Sequence, residues 1–321
     1  MQAIVATHGD AENPISALSI CELPEPEATN DWVKVEIKAA ALNHHDVWTL
    51  RGQATPSENL PIVLGSDGAG ITSDGTPVIV HAVIGDPSSG DETLDPKRSL
   101  LSEIHDGTFA NFTCVPKYNL IPKPDWLTFE QAACLPTAWL TAYRMLFSKS
   151  GLTKGDTVLI QGASGGVASA LISLANAAGI RVWVTTRSED KKQYAQKLGA
   201  AQVFEPNAKL PEKVDVVMET VGQATWAHSM RSLKPGGRII VSGATTGANP
   251  PADLNRLFFL QLQIIGSTMG SKTELIDLIS FLEKTGLRPE FQGTYLFSEA
   301  RNAFEKLIAG DVQGKLVLLP D

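Results

Sequence analysis

The sequence predicts an α/β protein in two parts, a β-rich first third and a middle built on a doubly wound parallel sheet. Three observations predict it. Val33, Val35 and Ile37 alternate with Lys34, Glu36 and Lys38, the two-residue period of a half-buried strand. Pro and Gly punctuate the first third, as in Leu23-Pro24-Glu25-Pro26, which favours short strands and loops. After Pro136, short apolar runs alternate with helix-period segments, the signature of βαβ units. The length of 321 residues corresponds to about two domains.

In chain order, the segment Phe109 to Val115 reads as a strand stopped by Pro116, and the polar stretch Gly85 to Gly107 as a surface loop with at most a short helix. Leu140 to Phe147 reads as helix. Val158-Leu159-Ile160 is a short strand, followed by a glycine loop and a helix with Val167, Leu171, Leu174 and Ala175 on one face. Val182-Trp183-Val184 is the next strand and Asp190 to Leu198 the next helix. Gln202 to Phe204, Val214 to Met218, Arg238 to Val241 and Ile264-Ile265 continue the strands. Glu299 to Ile308 reads as an amphipathic helix, and Lys315 to Leu319 as a last strand returning to the first domain.

Composition excludes several classes. Thirty-five acidic residues against 27 basic give a net charge of −8, which argues against a reader of nucleic-acid backbones. No apolar run approaches the roughly 18–20 residues that span a bilayer, and Met1-Gln2-Ala3-Ile4-Val5 lacks the basic start of a secretory leader. Cys21, Cys114 and Cys134 are scattered and odd in number, so neither a disulfide scaffold nor a four-cysteine zinc lobe is expected. A cytoplasmic protein is the expectation.

The loop Gln161-Gly162-Ala163-Ser164-Gly165-Gly166-Val167-Ala168 joins a strand to a helix. Ala163, Gly165 and Ala168 take the small-residue positions of a dinucleotide fingerprint, where backbone and helix N-terminus approach a pyrophosphate. The same residues spell G-x-S-x-G, the nucleophile elbow of a hydrolase with Ser164 as nucleophile. Against that stands the histidine order: only His228 follows Ser164, and it falls on a predicted helix. At the tip of the second strand, Val184-Thr185-Thr186-Arg187-Ser188 carries no carboxylate for a ribose 2′-hydroxyl. Thr186, Arg187 and Ser188 donate hydrogen bonds, which favours a 2′-phosphate and hence NADP(H). The alternative is a merely solvated Arg187.

With these motifs in order, the chain resembles the medium-chain dehydrogenase/reductase superfamily, and within it the zinc-independent quinone oxidoreductase-like branch. The resemblance runs through Ala41 to Gly52, Leu64 to Gly70, Gly107 to Ala110, Leu135 to Ala142, Gln161 to Val167, Asp215 to Val217, Leu233 to Arg238, Ile264 to Gly270 and Gly314 to Leu318. It implies a GroES-like catalytic domain over residues 1–122 and 271–321, and an NADP-binding Rossmann domain over 123–270. Zinc members place metal ligands where Asn43, Ser66 and Thr137 stand here. An amide and two hydroxyls are poor zinc ligands, so no metal is expected. Without a Lewis acid to polarise an alcohol, the implied activity is NADPH-dependent hydride transfer to a quinone or a conjugated enone or enal. The alternatives are an alcohol/aldehyde dehydrogenase of the same superfamily, and a low-turnover NADPH-binding sensor or structural protein.

The resemblance also assigns residues. Asn43, where zinc members carry the catalytic cysteine, would donate to a developing oxyanion. His45 stands at a relay position and would deliver a proton. Asp46 would orient the loop, by pairing with Arg51. His44 would meet the cofactor pyrophosphate, and Lys315 in the returning tail its phosphate. Thr137, Ser164, Gly165, Gly166 and Val167 would contact the phosphates or nearby backbone. Thr186, Arg187 and Lys191 would meet the adenosine ribose phosphate. Thr220, Val221, Ser242, Gly243 and Ser267 follow the later strands, where the crevice of a doubly wound sheet lies. A homodimer joined near the sixth strand is the implied assembly, with a tetramer as the alternative.

Overall fold

The computed structural model describes every residue from Met1 to Asp321. The chain forms two compact units, one of residues 1–140, 269–282 and 288–321, the other of residues 141–268 and 283–287.

In the first unit, β2 (Leu18–Glu22), β1 (Gln2–Ala6) and β4 (Ile62–Val63) form an antiparallel sheet in that order. A seven-stranded sheet carries, across its width, β10 (Leu120–Pro122), β6 (Pro77–Val80), β5 (Asp67–Thr72), β3 (Trp32–Ala41), β18 (Lys315–Leu319) and β17 (Phe291–Leu296), with β9 (Phe112–Pro116) also on β3. β7 (Val83–Ile84) and β8 (Ser99–Leu100) make a small antiparallel pair. Val35 and Ile37 of β3 are buried and Glu36 is exposed, the alternation the sequence predicts. That alternation stops at Ala39, after which Ala39, Ala40 and Ala41 are all buried. The reason is β18: the last strand of the chain pairs antiparallel with the end of β3, Val317 opposite Ala41 and Leu318 opposite Ala40. On the other side β5 places Asp67 opposite Ala41. Helices α1 (His44–Leu50) and α9 (Ala300–Ile308) cover a core that includes Ile37, Leu42, Leu50, Leu64, Phe109 and Phe304.

Two segments differ from the sequence expectation. The strand expected from Phe109 starts only at Phe112, because Phe109 gives its carbonyl to Ile4 of β1 instead (2.8 Å). Residues 123–140 group with the first unit rather than with the nucleotide domain. There α2 (Phe129–Ala133), opened by a reciprocal Thr128–Gln131 capping box, packs on β3, β5 and β6. The chain then winds as a π-helical turn over Leu135–Trp139, where Pro136 supplies no N–H, before α3 (Leu140–Tyr143) and a second π-helical turn.

In the second unit, β11 (Thr157–Gln161), β12 (Arg181–Thr185), β13 (Gln202–Phe204), β14 (Val214–Glu219), β15 (Leu233–Val241) and β16 (Gln263–Gly266) form one parallel sheet in the order β13-β12-β11-β14-β15-β16. This is the doubly wound order whose direction reverses between the first and fourth strands. Helices α4 (Gly166–Ala177), α5 (Glu189–Lys197), α6 (Gln223–Ser232) and α7 (Leu254–Phe259) link its strands. A helix α8 (Lys272–Thr285) follows. No helix is long and apolar enough to cross a membrane, and all three cysteines are free.

Candidate functional site

The first unit holds a buried polar cluster at the end of β3. Two strand pairings create it: β5 brings Asp67 and Ser66 beside Ala41 from one side, and β18 brings Lys315 from the other. Asn43 follows two residues later as the N-cap of α1, with extended backbone. The Lys315 ammonium donates to Leu42 O (2.6 Å), Asn43 Oδ1 (2.5 Å) and Asp67 Oδ2 (2.9 Å). Lys315 is 3% exposed and Asp67 fully buried. An ammonium only donates, so it fixes which end of the Asn43 amide faces it. The amide nitrogen is thereby turned to Asp67 Oδ2 (2.9 Å), Ser66 Oγ (3.3 Å) and Ala41 O (3.3 Å). Ser66 Oγ in turn meets Thr137 Oγ1 at 3.2 Å. Asn43, Ser66 and Thr137 thus converge.

Two sequence assignments change here. The amide hydrogens of Asn43, expected to serve an oxyanion, are directed into the protein, because Lys315 occupies the oxygen end of that amide. Lys315 itself, expected at the cofactor phosphate, has its ammonium committed to three buried acceptors. Cys134 belongs to the same neighbourhood: burial, only partly offset by Lys315, pushes its thiol up to about 12, so it is held as an unreactive S–H.

Asp46 does not pair with Arg51. Its Oδ2 accepts the backbone N–H of Asn43 (2.8 Å), closing the first turn of α1, while its Oδ1 is buried and unpartnered. Complete burial raises its carboxyl to about 6 against the lowering effects of His45, the Asn43 N–H and Lys315. The neighbouring His44 ring reaches the surface, yet desolvation by the surrounding protein, then the charges of Lys315 and Arg51, lower its pKa and keep it neutral. His45 turns the other way. Its Nε2 lies 3.1 Å from Glu103 Oε1 and its Nδ1 is buried without a partner.

In the second unit the assigned residues share one edge of the sheet. Gln161 pairs with Thr185, Glu219 with Val241, and Val241 with Gly266, so the residues that follow these strands all leave at the carboxyl ends. Ser164 to Val167, Thr186, Arg187, Thr220, Val221, Ser242, Gly243 and Ser267 lie there. Gly162 has φ +88°, a turn that side chains resist. Gly165 has an ordinary φ of −66°, and a Cβ added to it meets nothing within 4 Å. Neither strain nor packing calls for glycine at this N-cap, so its missing side chain leaves open space directly before the helix N-terminus. α4 begins there with its first N–H groups unpaired within the helix. These features fit a dinucleotide pyrophosphate. Arg187 is exposed and has no protein partner, whereas Ser188 caps α5 by accepting the Lys191 N–H (3.5 Å) and Glu189 and Asp190 sit in its first turn.

A buried network that the sequence reading missed supports this edge. Glu219, fully buried at the tip of β14, accepts from Val221 N (2.9 Å), Gly222 N (3.0 Å), Thr225 Oγ1 (2.8 Å) and Ser229 Oγ (2.6 Å). Its only sequence signal was a carboxylate ending an apolar strand. Ser229 and His228 Nδ1 meet Gln161 Nε2, each at 3.0 Å, and His228 Nε2 gives its hydrogen to Ala208 O (2.9 Å). Burial lowers the His228 pKa, and both ring nitrogens are engaged. His228 is therefore a structural group and no partner for Ser164, which removes the hydrolase alternative's base.

Comparison with known proteins agrees with both units. The alcohol dehydrogenase GroES-like domain model matches residues 29–125 and the zinc-binding dehydrogenase model residues 166–284. An acryloyl-coenzyme A reductase of Sulfurisphaera tokodaii is 28% identical over the full length of both chains. A quinone oxidoreductase of Mus musculus is 28% identical, covering 92% of this chain and 91% of its own. The crystal structure of an NAD-dependent alcohol dehydrogenase superposes with a TM-score of 0.93 at 33% identity, covering both chains completely. The zinc in one of these descriptions does not fit this chain's residues. Asn43, Ser66 and Thr137 are an amide and two hydroxyls hydrogen-bonded to one another, and no group of three or more His, Cys, Asp or Glu side chains is placed to hold a metal ion.

Proposed function

The chain belongs to the medium-chain dehydrogenase/reductase superfamily, and on that premise we propose that it is an NADPH-dependent, zinc-free reductase of activated C=C bonds or quinones. The observation that carries this reading is the Asn43–Ser66–Thr137 cluster. Zinc chemistry in this setting calls for a thiolate, imidazole or carboxylate set, and these positions offer an amide and two hydroxyls instead. An alcohol needs its oxygen activated before hydride leaves its carbon. A conjugated enone, enal or enoyl thioester accepts hydride at its β-carbon with only a proton donor to help. Relatives named for acryloyl-coenzyme A and quinone reduction support the same class.

In this reading the N–H groups of Gly166 and Val167 at the start of α4 hold the pyrophosphate, with Ser164 and Gly165 beside it. Arg187, helped by Thr186 and Lys191, would hold the 2′-phosphate. Thr220, Val221, Ser242, Gly243 and Ser267 line the nicotinamide half, Glu219 fixing the backbone of Val221 and Gly222. Bound there, the dinucleotide supplies a hydride. In the first unit Lys315 and Asp67 hold Asn43 in one orientation, and His45 delivers the proton that completes the reduction.

A second copy of the chain is the proposed partner. β16 is an edge strand with one unpaired side, Ile264 on it is 42% exposed, and Phe258 and Phe259 of α7 are 69% and 79% exposed. Unpaired backbone and apolar area of this kind call for cover. A reducing, cytoplasmic setting accords with three free cysteines.

The test is a panel of quinones, enones, enoyl thioesters, aldehydes and alcohols, read by NADPH or NADH consumption on protein whose zinc content has been measured. Turnover of an activated alkene or quinone with NADPH in zinc-free protein is the expected result. Alcohol oxidation dependent on stoichiometric zinc overturns the reading, and tight NADPH binding with no turnover reassigns the chain as a binding protein. Sedimentation velocity checks the dimer.

A further inference from the structure

The buried network of the second unit joins the turn that opens the glycine loop to the turn that follows β14. Gly162, at φ +88°, begins the first turn directly after β11. Gly222, at φ +91°, ends the second and is the N-cap of α6. The Glu219 carboxylate, fully buried, accepts from the N–H groups of Val221 and Gly222, from Thr225 Oγ1 and from Ser229 Oγ (2.6 Å), all of them neutral donors. The loop after β15 is tied to the same turn. Thr246 donates to Val221 O through its N–H (2.8 Å) and its Oγ1 (2.7 Å), and Ser242 N donates to Glu219 O (3.0 Å). Capping of α6 accounts for Val221, Gly222 and Thr225. The Ser229 bond leads across the sheet instead.

The charge sets a direction along that path. A carboxylate only accepts, so Ser229 Oγ gives its one hydrogen to Glu219 and is left to accept from Gln161 Nε2 (3.0 Å). His228 demands the same orientation independently. Its Nε2–H goes to Ala208 O, so its Nδ1 accepts from the same Gln161 nitrogen. The other end of the Gln161 amide is therefore oxygen, and it accepts the Thr185 hydroxyl hydrogen (2.8 Å). With that hydrogen committed, Thr185 Oγ1 accepts the N–H of Gly162 (3.3 Å). Gln161, Thr185, His228 and Ser229 are all buried. Every bond from Gly162 to Glu219 points the same way, and an aligned chain ending on a charge is cooperatively strengthened. An amide in place of the carboxylate would present either end to Ser229, and the direction would be lost.

We propose that Glu219, Ser229, Gln161 and Thr185 are positioning residues that make the Gly162 turn and the Val221–Gly222 turn one binding unit for the dinucleotide, so that loosening either turn weakens the grip of the other. The proposal deepens the cofactor reading above and rests on it. The four side chains act through backbone: one end of the chain holds the peptide that enters the glycine loop, the other holds the turn on the nicotinamide side. A loop ordered before the ligand arrives loses less freedom on binding. Two loops ordered by one network share that gain, and the shared part is a coupling free energy between the two halves of the site.

The experiment uses the full-length protein and calorimetric titration with two ligands. One is NADPH. The other is adenosine 2′-phosphate 5′-diphosphate, which carries the adenine half and a diphosphate and lacks everything on the nicotinamide side. Glu219→Gln disturbs the turn that this fragment does not reach, yet is expected to weaken the fragment about fivefold and NADPH at least about tenfold. Ser229→Ala, a small change inside α6, cuts the same chain and gives the same fragment loss where Glu219→Gln folds poorly. Thr185→Val cuts the far end and is expected to match it, whereas Thr185→Ser keeps the hydroxyl and stays within about twofold of the parent. The double variant Ser229→Ala/Thr185→Val is expected to bind the fragment no more weakly than either single variant, since both break one chain. Amide hydrogen exchange in ligand-free protein adds a readout independent of the cofactor: the Gly162 N–H is expected to exchange at least about fivefold faster in Ser229→Ala. Fragment affinity within about twofold of the parent in Ser229→Ala, losses that multiply in the double variant, Thr185→Ser as weak as Thr185→Val, or a Gly162 N–H indifferent to Ser229→Ala overturns the proposal. A parent that binds neither ligand overturns the cofactor reading and the proposal with it; a parent that binds both, with indifferent variants, overturns the coupling alone.

Discussion

Replacing Lys315 by Met tests the buried cluster most directly. The ammonium is 3% exposed and satisfies three oxygens, one of them the fully buried Asp67 carboxylate at 2.9 Å. Removing it leaves that carboxylate as an unpaired charge and strips a donor from Asn43 Oδ1 and Leu42 O. Breaking a buried ion pair from one side costs about 3–5 kcal/mol. For a unit of this size each kcal/mol moves the melting temperature by about 2–4 °C, so a drop of roughly 6–20 °C is expected. Scanning calorimetry, resolving the transition of the first unit, reads it. The cause is isolated by the pair Lys315→Met with Asp67→Asn, which removes the charge along with its partner and is expected to recover more than half the loss. A single variant within about 1 kcal/mol of the parent, or a double variant no better than the single one, refutes the reasoning.

Three further outcomes follow from the geometry. Asp46 has its carboxyl raised from 3.8 to about 6, so the folded state holds an extra proton between those values, and stability falls as pH rises through that window. The loss at pH 7 is at most about 3 kcal/mol. Asp46→Asn is therefore expected to be the more stable protein in urea at pH 7–8 and equal to the parent below about pH 4; the opposite order refutes the sign. Gly165→Val meets open space at an ordinary φ, so its melting temperature stays close to the parent's while NADPH affinity, read by fluorescence titration, falls at least about tenfold. A variant that binds normally places the pyrophosphate elsewhere. Arg187→Ala is expected to weaken NADPH about tenfold and leave NADH within about twofold; a parent that binds NADH more tightly removes the 2′-phosphate assignment.

Most of the second unit was legible because its chemistry is local. The strand Val158-Leu159-Ile160, the loop Gly162 to Gly166 and the helix after it are consecutive, and each residue type has a job set by its neighbours in sequence. The tips at Thr186, Thr220, Ser242 and Ser267 follow from strand ends for the same reason. The first unit was less legible. Asp67 was visible only as one letter of Gly65-Ser66-Asp67. Glu103 had no signal at all, since a carboxylate in a polar loop looks like a solvated one.

The sequence by itself determined the two-part α/β architecture and the family, and by resemblance it set Asn43, Ser66 and Thr137 where zinc members carry metal ligands. Those are matters of residue type and spacing, which the chain carries in linear order. Only the tertiary structure decided what Lys315, Asp67, His45 and Glu103 touch. Lys315 stands 272 residues from Asn43 and reaches it because β18 closes onto the end of β3. Glu103 meets His45 across 58 residues through a turn fixed by its own backbone bonds. Charge at such distances in sequence has no local trace. Its meaning is set by burial, which turned the lysine inward as a partner for Asp67, and by which nitrogen of one imidazole a carboxylate claims.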